Sequence, residues 1–134
     1  MREPSPRPRA GAVPVPLDPA KFSRVIAHIR ANLDRELDVE SLARLAGASA
    51  SCFARAFRQH VGVTPHAYVL DARVERAKEL LRGTDLTLAA IALEVGFTSQ
   101  SCLNVAFRRR ARITPGRFRT KFSRKAKDAP GRRE

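Results

Sequence analysis

Apolar residues recur along this chain at the three- and four-residue spacing of helices, most clearly within residues 86–118. The pattern there predicts a short helix with one buried face. Gly96 should end this helix, because a residue without a Cβ atom can adopt the left-handed conformation that turns the chain sharply. The buried positions are Leu88, Ile91, Ala92 and Val95.

A second helix is predicted directly after this turn. Thr98 or Ser99 can cap its first turn, and its apolar residues recur every four positions at Leu103, Phe107 and Ala111. The opposite face is polar and basic, with Gln100, Ser101, Asn104, Arg108 and Arg109. A short helix, a glycine turn and a second helix with such a face is typical of a helix-turn-helix that reads DNA.

The same pattern occurs fifty residues earlier. Residues 51–68 and 101–118 share seven identities in eighteen positions, including Ser-Cys at the start, Ala-Phe-Arg in the middle and Thr-Pro near the end. Upstream, Gly47 corresponds to Gly96, with one extra residue in the second turn. Two unrelated amphipathic helices would not share this punctuation, so the chain contains a duplicated unit.

Helices are also predicted around the two turns. Asp18 caps a first helix with Pro19 at its first position, and Asp38 caps a second over 39–46. Ser49 caps the first recognition helix, about 50–61, which Gly62 ends. Its core side consists of Phe53, Phe57 and Val61, and its outer side of Ala50, Ser51, Ala54, Arg55 and Arg58.

A longer helix is predicted from Thr64-Pro65 to about Arg82, with pairs Glu75–Lys78 and Glu79–Arg82 on its solvent side. Its length of about 27 Å is less than the roughly 34 Å between major grooves on one side of straight DNA, which predicts bent DNA or incomplete insertion of one recognition helix. A last helix begins at Thr114-Pro115. Its inward residues are Phe118 and Phe122, and its outward residues are Arg117, Arg119 and Lys121.

Composition points to a polyanionic partner. The 134 residues form one domain or two very small ones, with a net charge of +13. Residues 18–45 hold five basic and five acidic side chains, whereas residues 95–127 hold ten basic and no acidic ones. This one-sided charge favours nucleic acid first and an anionic membrane surface second. The Pro/Arg-rich residues 1–17 and the basic residues 123–134 are predicted to be disordered tails.

Other chemistries find little support. Cys52 and Cys102 are interpreted as small semi-buried fillers rather than a disulfide or part of a zinc site. Paired carboxylates, a phosphate-binding loop and metal-ligand spacing are missing, so we expect no enzyme activity, no cofactor and no metal. No secretion signal or apolar run of 18 residues is seen, which predicts a cytoplasmic, nucleoid-associated protein that does not enter membranes.

Residues 22–122, about three quarters of the chain, resemble the DNA-binding domain of AraC/XylS-type transcriptional regulators. The matching segments are SLARLAG, SCFARAFRQHVGVTPHAYVLDARVERAKELL and TLAAIALEVGFTSQSCLNVAFRRRARITPGRF. The resemblance implies an all-α fold of seven helices: two helix-turn-helix units, about 18–62 and 84–122, joined by a bridging helix at about 65–82. It also implies a sequence-specific regulator, mostly an activator that engages RNA polymerase, either stand-alone or the DNA-binding half of a larger protein.

Base-reading positions follow from this resemblance, residue by residue. The first recognition helix would use Ser51, Ala54 and Arg55, and the second, about 99–111, would use Gln100, Ser101, Asn104 and Val105. Two positions depart from the pattern. Val105 stands where the family commonly has arginine, so a guanine contact is replaced by a possible contact with a thymine methyl group. Arg112 stands opposite Gly62, where a left-handed arginine would cost about 1 kcal/mol.

The chemistry of each exposed side chain favours contact with either a base or the DNA backbone. Arg55 can donate two hydrogen bonds to guanine, and Asn104 and Gln100 are amides suited to adenine. Phosphate contacts, which give affinity without sequence information, are predicted for Ser49, Arg58, Ser99, Arg108, Arg109 and Arg117. Because both units lie on one chain, a monomer should cover an asymmetric double-stranded site of about 20 base pairs. The alternative is a protein that binds or compacts nucleic acid without sequence preference.

Overall fold

The computed structural model describes residues 18–123, and the two predicted tails, 1–17 and 123–134, lie outside this range except for Ser123. Within it the regular structure is entirely helical, which confirms the all-α prediction. The seven helices are α1 (Pro19–Ala31), α2 (Val39–Ala46), α3 (Ala50–Val61), α4 (Pro65–Gly83), α5 (Leu88–Glu94), α6 (Gln100–Ala111) and α7 (Pro115–Phe122).

The chain divides into two compact units. Among the described residues, the first unit contains 18–31 and Leu37–Tyr68, and the second contains Asn32–Glu36 and 69–123. The boundary therefore falls inside α4. The turn between α1 and α2 packs with the second unit, although it lies in sequence between two helices of the first.

The first unit is closed around aromatic rings. Phe57 contacts Phe53, Phe22 and Tyr68, and the ring of Tyr68 meets it edge-on at a centroid distance of 5.5 Å. Aliphatic side chains from α1 and α2 complete this core, because each helix turns its apolar stripe inward. The buried residues are Val25, Ile29, Leu42, Ala43, Ala46, Phe53, Ala56 and Phe57.

The second unit repeats this arrangement with other side chains. Phe107 meets Phe118 edge-on at a centroid distance of 5.4 Å, as Phe57 meets Tyr68. The apolar residues of α4 at helical spacing predict a buried stripe of Ala67, Leu70, Val74, Ala77 and Leu81; Val74, Ala77 and Leu81 are buried, and Val69 and Leu80 are buried as well. The core consists of Val74, Ala77, Leu80, Leu81, Ile91, Ala92, Val95, Phe97, Leu103, Ala106, Phe107 and Phe118.

The helix caps follow the predicted residues. Asp38 caps α2 by accepting a hydrogen bond from the Ser41 N–H at 2.8 Å, and this bond lowers the pKa of Asp38. Thr87 caps α5 in the same way, although no cap was predicted for this helix. Gly47 and Gly96 both adopt positive φ, so both turns have the predicted left-handed residue.

Three predictions about side chains on α4 and α7 were wrong. Glu79 pairs with Arg76, not with Arg82. Phe122 remains about two-fifths exposed and covers the ring of Phe118 rather than entering the core. Arg119 does not face outward: its guanidinium donates to the carbonyl oxygens of Leu81, Thr84 and Leu86. These three carbonyls lie at the end of α4 and in the loop that follows, where they have no donor within a helix. The Arg119 guanidinium supplies the hydrogen bonds instead.

Candidate nucleic-acid interface

The two recognition helices, α3 and α6, begin with the same cap. The Ser49 hydroxyl accepts a hydrogen bond from the Cys52 N–H at 3.3 Å, and the Ser99 hydroxyl accepts one from the Cys102 N–H at 3.2 Å. A capping hydroxyl uses its oxygen as acceptor and keeps its hydrogen as a possible donor. Both serines are exposed, so each hydroxyl hydrogen is accessible for the phosphate contact predicted for it.

The helices also end alike. Gly62 after α3 and Arg112 after α6 are both left-handed, with φ of 97° and 70°. Their N–H groups donate to the carbonyl oxygens of Arg58 and Arg108. Arg112 is the one non-glycine residue with positive φ within residues 18–123. The predicted left-handed arginine is therefore present.

On α3 the predicted outer side is only partly accessible. Ser51, Arg55 and Arg58 are exposed, whereas Ala54 is half-buried. The unit thus presents two arginines and a hydroxyl one or two turns apart. Such a surface can donate to a guanine edge and to phosphates.

On α6 five predicted contact residues are exposed: Gln100, Ser101, Val105, Arg108 and Arg109. Asn104 differs from the prediction in one respect. It is half-buried, and its Oδ1 atom is buried with no hydrogen-bond partner in the described part of the chain. A bidentate pair with adenine needs both the oxygen and the nitrogen of the amide at the base edge. In this conformation Asn104 can offer at most its NH₂ group.

Arg110 does not belong to the outward set, although it continues the run Arg108-Arg109. It pairs with Asp71 on α4 through its Nε atom, and its side chain is only about one-fifth exposed. The partner lies 39 residues away in sequence, so nothing in the local pattern separates Arg110 from its neighbours. Arg117, predicted to contact phosphate, is exposed on α7.

A shallow groove of about 420 Å³ runs along one side of α6. Its walls are mostly apolar, and one wall comes from α4 through Leu70. Sequence reasoning did not predict it, because it depends on how α4 and the α5–α6 turn pack beside α6. The lining residues are Leu70, Phe97, Ser101, Cys102, Val105, Ala106, Arg109 and Arg110.

Both cysteines lie in the first turn of a recognition helix. The prediction of semi-buried fillers was wrong, since Cys52 and Cys102 are exposed. The Ser99 and Thr98 hydroxyls lower the pKa of the Cys102 thiol by hydrogen bonding to its charged form. Thr98 Oγ1 lies 3.4 Å from Cys102 Sγ.

Among residues 18–123 no group of three or more His, Cys, Asp or Glu side chains is placed to hold a metal ion. No helix in the same range has the length and apolar character needed to cross a membrane. Two helix-turn-helix units with exposed basic side chains on their second helices define this chain as a tandem helix-turn-helix protein.

Comparison with known proteins agrees with this class. A family model described as a helix-turn-helix domain matches residues 42–121. A probable transcriptional regulator, LumQ of Photobacterium leiognathi, is 35% identical over 91 residues, which are 68% of this chain and 37% of that protein. A putative AraC-like transcription regulator of Streptomyces lividans is 41% identical over 85 residues, 63% of this chain and 28% of that protein. The chain spans about a third of the length of these relatives.

Two solved structures share the fold. An AraC-type DNA-binding regulator from Chromobacterium violaceum matches with a TM-score of 0.73 and 28% identity, over 78% of this chain and 94% of that one. The DNA-binding domain of AdpA, a global transcriptional factor solved in complex with a target DNA, matches with a TM-score of 0.76 and 31% identity, over 83% and 98% of the two chains. The chain belongs to the AraC-type family of helix-turn-helix DNA-binding domains of transcriptional regulators.

Proposed function

We propose that this chain binds double-stranded DNA at a specific, asymmetric site of about 20 base pairs and activates transcription there. α3 and α6 would enter successive major grooves, one monomer would occupy each site, and RNA polymerase would be the protein partner. A cytoplasmic, nucleoid-associated location follows from this role.

The observation that carries the proposal is the exposed basic side of each recognition helix. Arg55 and Arg58 on α3, and Arg108 and Arg109 on α6, are accessible on helices whose caps are equivalent. Support also comes from AdpA, whose domain of the same fold was solved with its target DNA. A helix presented in this way is the unit that the major groove accepts.

The base-reading set comprises Ser51, Ala54, Arg55, Gln100, Ser101, Asn104 and Val105. Within it, Arg55 has the largest expected share of specificity, because a bidentate arginine–guanine pair discriminates by about 1–3 kcal/mol. The phosphate set comprises Ser49, Arg58, Ser99, Arg108, Arg109 and Arg117. These residues would set affinity and salt dependence but not base preference.

The second candidate is binding or compaction of nucleic acid without sequence preference, and the net charge of +13 favours it. Selection of bound sequences from random duplex DNA at moderate salt separates the two. The proposal expects an enriched asymmetric motif in two blocks. Enrichment of no motif would replace it with the second candidate.

The residue roles are tested by a matched pair. Arg55→Ala should reduce binding to the selected site far more than to random DNA. Arg108→Ala should weaken binding to both alike and lower the slope of log affinity against log salt by about 1. Equal losses on specific and random DNA for Arg55→Ala would refute its assigned role.

A further inference from the structure

We propose that the second unit reads the C5-methyl group of a pyrimidine through Val105, so that one position of the site accepts thymine and 5-methylcytosine but not cytosine. This inference rests on the proposed function and names the chemistry that α6 recognises. Its consequence is that cytosine methylation at this position would strengthen binding.

Val105 occupies the second turn of α6. It corresponds to Arg55 in the duplicated unit, within helices that share their caps and their buried Ala-Phe pair. Its side chain is 61% exposed, so it contributes little to the core. Ser101 and Arg109, one turn before and after it, are exposed with it. Where α3 has the guanidinium of Arg55, which can donate two hydrogen bonds, α6 therefore has the two methyl groups of Val105.

The surroundings of Val105 are mostly apolar. It lines the groove of about 420 Å³ together with Leu70, Phe97 and Ala106. Ser101, Cys102, Arg109 and Arg110 add polar groups to the lining, but beside Val105 itself a methyl group on a base edge would meet carbon atoms and lose contact with water. In the major groove such a methyl group occurs at C5 of thymine, and apolar side chains recognise it by direct contact. Cytosine lacks this group, and methylation at C5 supplies it at the same edge.

Asn104, the neighbour of Val105 on α6, does not present a complete amide group at the surface. In the observed conformation its Oδ1 atom is buried, so the acceptor that a bidentate contact with adenine would need does not lie at the surface. The second turn of α6 thus lacks both the arginine fork and a complete amide pair. This turn therefore offers a base edge the NH₂ group of Asn104 and an apolar contact by Val105.

The experiment starts from the selected binding site and replaces each thymine of the α6 half-site by deoxyuridine, one at a time. At one position the wild-type protein should lose about fourfold in affinity, the effect of one buried methyl group. At that position cytosine should bind as poorly as uracil, and 5-methylcytosine should restore the affinity of thymine. Tolerance of deoxyuridine at every position, or a half-site without thymine, would overturn the inference.

Two variants connect this preference to the side chain. Val105→Ala should bring the ratio of thymine to uracil affinity closer to one, because the shorter side chain loses most of its contact with the methyl group. Val105→Arg should change the selected base at that position to guanine, and the matched variant Arg55→Val should remove guanine from the α3 half-site. Because both side chains are exposed, the free energy of unfolding of each variant should equal that of the wild type, and urea titration checks this.

Failure of the inference and failure of the proposed function have different signatures. If the wild type enriches no motif, the proposed function fails. If a motif is enriched but Val105→Ala retains the full thymine-to-uracil ratio, only the role of Val105 fails.

Discussion

The two helix-turn-helix units use the same local devices but differ in what surrounds them. Gly47 and Gly96 are equivalent left-handed residues in the two turns. A Cβ atom on Gly47 would meet only the flexible end of Lys21 at 3.3 Å. A Cβ atom on Gly96 would lie 1.9 Å from the backbone carbonyl oxygen of Leu33. The first glycine is required by its backbone angle alone, and the second is also required by close packing.

The Leu33 carbonyl is itself held in place. It accepts a hydrogen bond from Arg73 Nε at 3.0 Å, and the same guanidinium donates to the Arg35 carbonyl at 2.8 Å. Burial lowers the pKa of the Arg73 guanidinium. The ring of Phe97 lies against this group at 5.9 Å. The comparison shows that duplicated turns keep their geometry while their tertiary neighbours make one of them far less tolerant.

The largest expected effect comes from alanine at these two glycines. Gly96→Ala should destabilise the second unit by about 2–5 kcal/mol, the sum of about 1–2 kcal/mol for a left-handed alanine and about 1–3 kcal/mol for overpacking. Gly47→Ala should cost only about 1–2 kcal/mol. Urea denaturation followed by circular dichroism measures both, and equal losses would contradict the role assigned to Leu33.

The next comparison concerns α7 and the corresponding start of α4. Val69 corresponds to Arg119. It is a buried apolar side chain, whereas Arg119 donates hydrogen bonds through its guanidinium. Arg119→Ala should cost about 2–3 kcal/mol, because it leaves three carbonyl groups without their charged donor. The exposed neighbour Arg117 provides the control: Arg117→Ala should leave stability unchanged and weaken DNA binding. A stability loss shared by both variants would show that α7 responds to charge rather than to the three hydrogen bonds.

The ends of the recognition helices predict opposite signs. Arg112→Gly should raise the free energy of unfolding by about 1 kcal/mol, because glycine adopts φ of 70° without the steric cost of a side chain. Gly62→Ala should lower it by about the same amount, since a Cβ atom there meets nothing within 4 Å and only the backbone angle opposes it. Thermal or urea unfolding of the pair tests this, and two shifts of the same sign would refute it.

The smallest effect concerns the thiol of Cys102. Because hydrogen bonds from Ser99 and Thr98 favour the thiolate, its pKa is lowered and its reactivity should rise at a lower pH than that of free cysteine. Alkylation rates of a Cys52→Ser protein, measured as a function of pH, give the midpoint. Thr98→Val should move the midpoint upward. A midpoint that does not respond to Thr98 would exclude this hydrogen bond as a cause.

Local sequence signals predicted most of the fold. Ser49, Ser99 and Asp38 cap the helices that they were expected to cap, since a capping bond spans three residues and needs no distant partner. The observed bounds of α2 and α3 coincide with the predicted ones, and α7 begins at Pro115 as predicted. The exposed residues Arg55 and Arg108 of the candidate site also followed from the apolar period, whereas Val105 followed from the resemblance to the family.

What the sequence by itself determined was the set of helices, their caps, the left-handed turns and the outward side of each recognition helix. These features depend on residues within one or two turns of each other, where spacing and steric limits decide. Only the tertiary structure decided the inward contacts of Arg119 and Arg110 and the burial of Asn104 Oδ1. It also decided that a side chain on Gly96 would collide with the Leu33 carbonyl oxygen. The partners of Arg119 and Arg110 lie 33 to 39 residues away in sequence, and no local pattern distinguishes an arginine that faces solvent from one that a folded chain surrounds with acceptors.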